Sequence, residues 1–314
     1  MKKALIIGID DYTGCPLSGC VKDANSMHQL LERNADGSPN FDVRTFTDAS
    51  VVNRAFLKRK IEELFATDSE AALLYFSGHG CINSYGGYIV TPDFTRYDEG
   101  VSMDEIMKMC NSSKARHKII ILDCCYSGKI GNPDGHTSKI AEVADGVTIL
   151  AACRDNEVAM ESDGHGVFTS LLIEALGGQC ADLIGHISPG SVYAFIDRAL
   201  GEWEQRPMFK TNISSFISIR NVAPPIETSL LRKLTDYFQS IYDEFKLDPT
   251  FEDTVPGFNP DNAKMLKELQ KMVSVGLVKP VDEEHMYYAA INTKSCKLTA
   301  LGAQYWKIVK SNKI

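Results

Sequence analysis

The sequence predicts an α/β fold, with a mainly parallel six-stranded sheet flanked by helices and a small α+β unit behind it. Three observations lead there. Short β-branched apolar runs alternate with stretches of helical period through the first two thirds of the chain. The central runs, Ile119-Ile120-Ile121-Leu122 above all, are continuously apolar, as strands covered on both faces must be. Finally, Asn221-Val222-Ala223-Pro224-Pro225 breaks the pattern, because a double proline disfavours helix and reads as a short stiff linker.

Taken in order, the expected strands are Ala4 to Ile9, Phe41 to Phe46, Ala72 to Phe76, Lys118 to Leu122, Val147 to Ala151 and Phe216 to Ile219. The helices between them are Lys22 to Glu32, Arg54 to Ala66, Met103 to Cys110, Val167 to Leu176 and Ser191 to Trp203. This gives a domain at residues 1–221, a linker at 222–228 and a second domain at 229–314. In the second domain, Leu230, Leu231, Leu234, Phe238, Ile241, Tyr242 and Phe245 recur at helical spacing, predicting one amphipathic helix. Asp261 is placed to cap a second helix, which carries Met265, Leu266, Leu269, Met272 and Val273 and ends at Gly276. Leu277 to Val281 and Met286 to Ile291 read as two strands of a hairpin, and a helix through Tyr305 and Trp306 closes the chain. Helix, helix, hairpin and closing helix resemble a winged-helix module.

Composition excludes several classes. The chain has 314 residues, 44% hydrophobic and 24% charged, with 23 Gly and 12 Pro dispersed along it, unlike collagen or a disordered scaffold. A formal charge of −8 argues against a whole-surface attraction for nucleic acid or anionic lipid. Apolar runs fall far short of the roughly 18–20 residues a membrane span needs. The N-terminal apolar stretch runs into Asp10-Asp11 with no small-residue cleavage site, so it reads as a strand rather than a leader, and the expected location is the cytoplasm. Nine cysteines without CxxC pairs or regular spacing disfavour both a disulfide framework and a structural zinc site. No GxGxxG follows the first strand, which sets aside a dinucleotide-binding domain.

Two segments place reactive residue types just beyond the carboxyl ends of central strands, where sites of such sheets lie. Leu74-Tyr75-Phe76-Ser77-Gly78-His79-Gly80 ends in a histidine between glycines, which allow a sharp turn and a close approach to His79. Alone, it is equally a loop histidine without a task. Ile121-Leu122-Asp123-Cys124-Cys125-Tyr126-Ser127-Gly128 runs a buried strand into a small-residue turn, where a cysteine becomes a nucleophile if a histidine and backbone N–H groups favour its thiolate. Alone, two adjacent cysteines are more commonly an inert buried pair. Neighbouring parallel strands would bring the two ends together as a Cys/His dyad.

These segments resemble the caspase-like cysteine peptidases, specifically the metacaspase and prokaryotic caspase-like branch. The resemblance covers residues 1–221 through ALIIGIDDY (4–12), LSGCVKDA (17–24), LLYFSGHG (73–80), IIILDCCYSG (119–128), ILAACRDNEVA (149–159), HGVFTSLLIEAL (165–176) and EQRPMFKTN (204–212). It implies Cys125 as nucleophile, His79 as general acid/base, and the backbone N–H groups of Gly80 and Cys125 as oxyanion donors. Cys124 is then a neighbour facing the other side. No cofactor is implied. The same branch implies a pocket for Arg or Lys before the scissile bond, matching Cys20, Asp23, Ser77 and Asp123 here; two carboxylates grip a guanidinium and repel an acidic side chain. Helix-end and turn roles for Asp23 and Asp123 are the alternatives.

Many metacaspases bind calcium, but Cys81 to Thr91 lacks carboxylates, the paired position reads Met103-Asp104, and Asn132 stands where a further aspartate would be expected. Oxygen ligands are too few for a calcium site, and no metal is expected. Another trigger is then required. The loop Lys129 to Asp145 follows the nucleophile, and Lys129 and Lys139 are self-cleavage points under a basic specificity, an uncut exposed loop being the alternative.

In the second domain, Lys264, Lys267 and Lys271 share roughly one helix face, as a DNA-reading helix would require. Residues 225–314 nevertheless hold 12 basic and 12 acidic side chains, without the basic excess of DNA-binding domains. The expected role is recruitment or sensing of an activating signal, whether a nucleotide messenger or a partner, there or in a pocket of the first domain. The layout resembles prokaryotic anti-phage defence or cell-death effectors. The rival reading is a catalytically silent platform acting as a DNA-binding or adaptor protein.

Overall fold

A computed structural model describes residues 1–125, 130, 142–152, 161–162, 165–200 and 206–314. The chain forms two compact units, one of residues 1–181 and 186–223, the other of residues 182–185 and 224–314.

Unit 1 contains, in order, β1 (Lys2–Gly8), α1 (Cys20–Glu32), β2 (Phe41–Phe46), α2 (Arg54–Ala66), β3 (Ala71–Ser77), β4 (Gly80–Asn83), β5 (Gly86–Thr95), β6 (Asp98–Ser102), α3 (Met103–Asn111), β7 (His117–Asp123), β8 (Val147–Ala151), β9 (Glu161–Ser162), β10 (His165–Gly166), α4 (Val167–Glu174), β11 (His186–Ile187), α5 (Pro189–Leu200), β12 (Met208–Asn212) and β13 (Arg220–Asn221). Six strands make the central sheet in the order β12-β8-β7-β3-β1-β2. All neighbours are parallel except β12, which runs antiparallel to β8. The period-2 alternation of the central strands divides the core in two. Leu74, Phe76, Ile120 and Leu122 face one side with Leu57 and Ile61 of α2 and Ile106 of α3. Leu73, Tyr75, Ile119 and Ile121 face the other with Met27 of α1, Phe168 and Leu172 of α4, and Val192 of α5. Local chemistry starts the helices: Asn53 accepts from the Phe56 N–H to cap α2, and Ser102 accepts from the Asp104 N–H to cap α3.

The sixth strand differs from the expectation. It is Met208–Asn212, whereas Phe216 to Ile219 joins no sheet. Its Lys210, Thr211 and Asn212 are polar because β12 is an edge strand, so it lacks the apolar signal of the interior strands. Ile219 is buried instead with a loop-type hydrogen bond to the Ile187 carbonyl, 2.7 Å long. The antiparallel meander β4-β5-β6 has no counterpart in the sequence reading; Ile89 and Val101 bring it into the α2 and α3 side of the core.

Unit 2 carries α6 (Thr228–Arg232), α7 (Leu234–Tyr237), β14 (Glu244–Lys246), α8 (Pro260–Ser274), β15 (Val278–Val281), α9 (Met286–Ile291), β16 (Ser295–Leu298) and α10 (Ala300–Lys310). Its antiparallel sheet has the order β14-β16-β15, over a core of Leu231, Leu234, Phe238, Leu269, Met272 and Cys296.

Three expectations for unit 2 are corrected. The single amphipathic helix is two short ones: Phe238 is extended, the Ser240 hydroxyl donates to Asp243 in a turn, and Phe245 lies on β14. Ser and Asp side chains here compete with the helical backbone. Met286 to Ile291 is helix α9 rather than a strand, since Met286, Ala289 and Ala290 are buried at i, i+3 and i+4; β16 supplies the returning strand. The cap of α8 is Asn259, which accepts from the N–H groups of Asp261 and Asn262, with Pro260 at the first helical position.

Candidate active site

The register of the sheet builds the site. Gly8, Ser77 and Asp123 end β1, β3 and β7 side by side, and the Gly78 N–H donates to the Asp123 carbonyl at 3.3 Å. Both loops therefore leave adjacent strands at one level. A Cβ built on Gly80 would run into the Cys125 carbonyl oxygen and come within 3.1 Å of the Cys124 sulfur, so glycine is what lets the histidine loop lie against the cysteine loop. Cys124 is buried in the core, whereas Cys125 is partly exposed.

His79 is half-buried and held by the loop that follows β1. Its Nε2 lies 2.7 Å from the Cys15 carbonyl oxygen. A carbonyl only accepts, so Nε2 carries the proton and Nδ1 of the neutral ring holds the lone pair, available as a base. The Tyr12 ring meets the imidazole edge-on, with centroids 4.7 Å apart. That same loop starts α1, because Asp10 Oδ1 accepts from the Cys20 N–H at 2.7 Å.

The acidic residues converge although they come from different elements. Asp23 on α1 and Asp123 at the end of β7 are 1% and 6% exposed. The Gly166 N–H donates to Asp23 Oδ2 at 3.1 Å, and a Cβ on Gly166 would strike Asp123 Oδ2 and lie 3.3 Å from Asp23 Oδ2. The Thr169 hydroxyl donates to Asp123 Oδ2 at 2.7 Å and so accepts from the Tyr75 hydroxyl, also 2.7 Å away. Burial, reinforced by the nearby Asp123 and Asp23, pushes the Tyr75 phenol well above its ordinary range, so it remains a donor. Ser77 is buried beside them at the end of β3, and Cys20 is buried one turn before Asp23 on α1.

Cys20, Asp23, Ser77, His79, Gly80, Asp123 and Cys125 thus all lie at the carboxyl-end side of the sheet or on the first turn of α1. Lys129, Lys139 and Asn132 lie outside the described residues. Asp104 sits in the first turn of α3, paired with Lys108 at 2.7 Å. Among the described residues, no three His, Cys, Asp or Glu side chains cluster as a metal site. Among the described residues, no helix is long and apolar enough to cross a membrane.

Sequence reasoning missed the participants that act through backbone or through distant packing. These are the Cys15 carbonyl, the Tyr12 ring, the Gly166 N–H and Thr169. Tyr12 and Thr169 do fall inside the GIDDY and HGVFTSLL segments; what no spacing reveals is which neighbour they touch.

Residues 1–216 match the family model described as Peptidase_C14, caspase domain. Among solved structures, protein GSU0716 from Geobacter sulfurreducens is similar at 18% identity and a TM-score of 0.52, over 70% of this chain and 96% of that one. Caspase-1 from Spodoptera frugiperda is similar at 13% identity and a TM-score of 0.50, over 70% of this chain and 92% of that one. No curated protein matches.

Proposed function

Because the chain belongs to the caspase-domain family of cysteine peptidases, we propose that it is a regulated endopeptidase of the metacaspase-like branch, cleaving proteins after Arg or Lys. Cys125 is the nucleophile and His79 its partner. The observation that carries the reading is the close seating of Gly80 on the Cys125 carbonyl, which sets the histidine loop directly on the cysteine loop.

In the proposed reaction, Nδ1 of His79 takes the Cys125 proton and the thiolate sulfur attacks the carbonyl carbon of the scissile peptide. The electron pair displaced onto oxygen is met by the N–H groups of Gly80 and Cys125. As the C–N bond breaks, His79 returns the proton to the leaving amine, giving a thioester. Water, deprotonated by His79, then releases the acid and restores the thiol. The steps need no metal or organic cofactor.

The substrate-binding assignment is Cys20, Asp23, Ser77 and Asp123. The buried carboxylates of Asp23 and Asp123, meeting at Gly166, support selection of a cationic side chain. Unit 2 is assigned a regulatory or recruitment role. Its sheet order β14-β16-β15, with α8 between the first two of those strands in sequence, supports a winged-helix-like reading. The balanced charge of residues 225–314 favours a protein or small signalling ligand over DNA. A signal-activated effector of prokaryotic defence or cell death, acting in the cytoplasm, is the physiological role that fits. The silent-platform alternative conflicts with the presence of both His79 and Cys125.

The test is a pair of fluorogenic peptides bearing Arg or Asp before the label. Wild type is expected to turn over the Arg peptide only. Cys125→Ala and His79→Ala should each lower the rate by at least about a thousandfold. Loss on Cys124→Ala but not on Cys125→Ala reassigns the nucleophile.

A further inference from the structure

The strand pair that carries His79 contains an irregularity. Gly80 pairs with Ile89 in the antiparallel ladder of β4 and β5, so His79 stands opposite Val90. Opposed residues in such a ladder alternate between pairs that exchange two backbone hydrogen bonds and pairs that exchange none, and a bond from Val90 to His79 marks this pair as the first kind. One is made: the Val90 N–H donates to the His79 carbonyl at 2.9 Å. The other runs through a side chain. The His79 N–H donates to the Tyr12 hydroxyl at 3.2 Å, and that hydroxyl donates to the Val90 carbonyl, also at 3.2 Å.

Tyr12 is built into this position. It is 2% exposed, and burial raises its phenol far above the ordinary range, so it keeps the proton it donates. A Cβ on Gly78 would lie 2.5 Å from the Tyr12 oxygen and 2.9 Å from the Phe76 ring, which explains the first glycine of SGHG by the space the phenol occupies. The Cys15 N–H donates to the Tyr12 carbonyl at 3.3 Å, closing a turn. One tied turn therefore grips the histidine twice, its backbone through the Tyr12 hydroxyl and its imidazole through the Cys15 carbonyl.

We propose that Tyr12 is a positioning residue for His79, its hydroxyl acting as a wedge that sets the backbone from which the imidazole reaches the thiol. The proposal rests on the dyad reading for its catalytic meaning, and on geometry alone for the contact. Tyr12→Phe removes the wedge while leaving the edge-on ring contact in place. Without the wedge, the His79 N–H and the Val90 carbonyl either close on each other or lose their partner. Either way the imidazole leaves its set position.

The experiment uses the full chain with 15N-labelled histidine, together with the rate at which iodoacetamide alkylates Cys125, followed by mass spectrometry of its peptide. Neither measurement needs a substrate or an activator. Wild type should show an exchange-protected Nε2–H signal for His79, assigned by its loss in His79→Ala. Tyr12→Phe should lose at least tenfold in that protection and about tenfold in the Cys125 rate, at a temperature where its circular dichroism is native. Phe76→Leu, which loosens the same packing but keeps the hydroxyl, should lose melting temperature and keep the imidazole signal. Unchanged His79 protection in Tyr12→Phe, or an equal loss in Phe76→Leu, overturns the proposal. If His79→Ala leaves the Cys125 rate unchanged, the dyad reading fails instead, while the imidazole signal still decides the role of Tyr12.

Discussion

Asp23 and Asp123 reach the same glycine from a helix and a strand, and each has a specific donor: the Gly166 N–H for one, the Thr169 hydroxyl for the other. A carboxylate taken this far out of water is costly unless hydrogen bonds or a counter-charge offset its lost hydration. In the proposed specificity, an arriving guanidinium would supply the counter-charge and gain shortened, charge-assisted hydrogen bonds. Asp123→Asn keeps an oxygen for the Thr169 hydroxyl while removing the charge. It is expected to lower kcat/KM for an Arg peptide about a hundredfold, roughly 3 kcal/mol, with the loss mainly in KM. Intact Arg turnover in this variant would remove Asp123 from the specificity assignment. The reactive residue types at this scale were legible in the sequence because His79 and Cys125 each stand in the short turn just after an apolar strand run. Thr169 was not, because its role is a hydrogen bond to a residue on another element, and no local pattern encodes it.

At the scale of elements, the parallel pairing of β3 with β7 turns two separate sequence segments into one site, and Gly80 is the close-contact point between them. Gly80→Ala adds a methyl group where the Cys125 carbonyl already lies. That oxygen is backbone, so one loop must move. Displacing the Gly80 N–H from the proposed oxyanion position is expected to lower kcat by about 10²–10³, with a stability loss of about 1–3 kcal/mol from overpacking. Gly177→Ala is the control, since a Cβ there meets nothing within 4 Å; its kinetics and melting temperature should match wild type. A Gly80→Ala enzyme with wild-type kcat would disprove this use of the backbone. Element boundaries were best read for the interior strands and for α2. They were misread where an edge strand is polar, as at Met208–Asn212, and where an apolar run in unit 2 folds as helix α9.

On the scale of the whole molecule, the net charge of −8 belongs to residues 1–224, since residues 225–314 balance. An acidic peptidase unit suits the proposed basic specificity, under which Lys129 and Lys139, in the segment after Cys125, are the proposed self-cleavage points, an uncut loop being the alternative. Incubated wild type is expected to yield fragments cut after these lysines by intact-mass measurement. Cys125→Ala and the double variant Lys129→Ala/Lys139→Ala should stay whole. An undiminished wild-type mass under conditions of peptide turnover would exclude self-cleavage.

The sequence by itself determined the α/β class, the interior strands, and the dyad candidates with their glycines. Those features are local, carried by period-2 burial and by residues adjoining strand ends. Only the tertiary structure decided that Asp23 and Asp123 share a glycine, that Cys15 offers its carbonyl to His79, and that the Tyr12 hydroxyl enters a backbone ladder. These are contacts between groups distant in the chain, some of them backbone atoms that every residue type carries, so their partners become visible only when the sheet register brings them together.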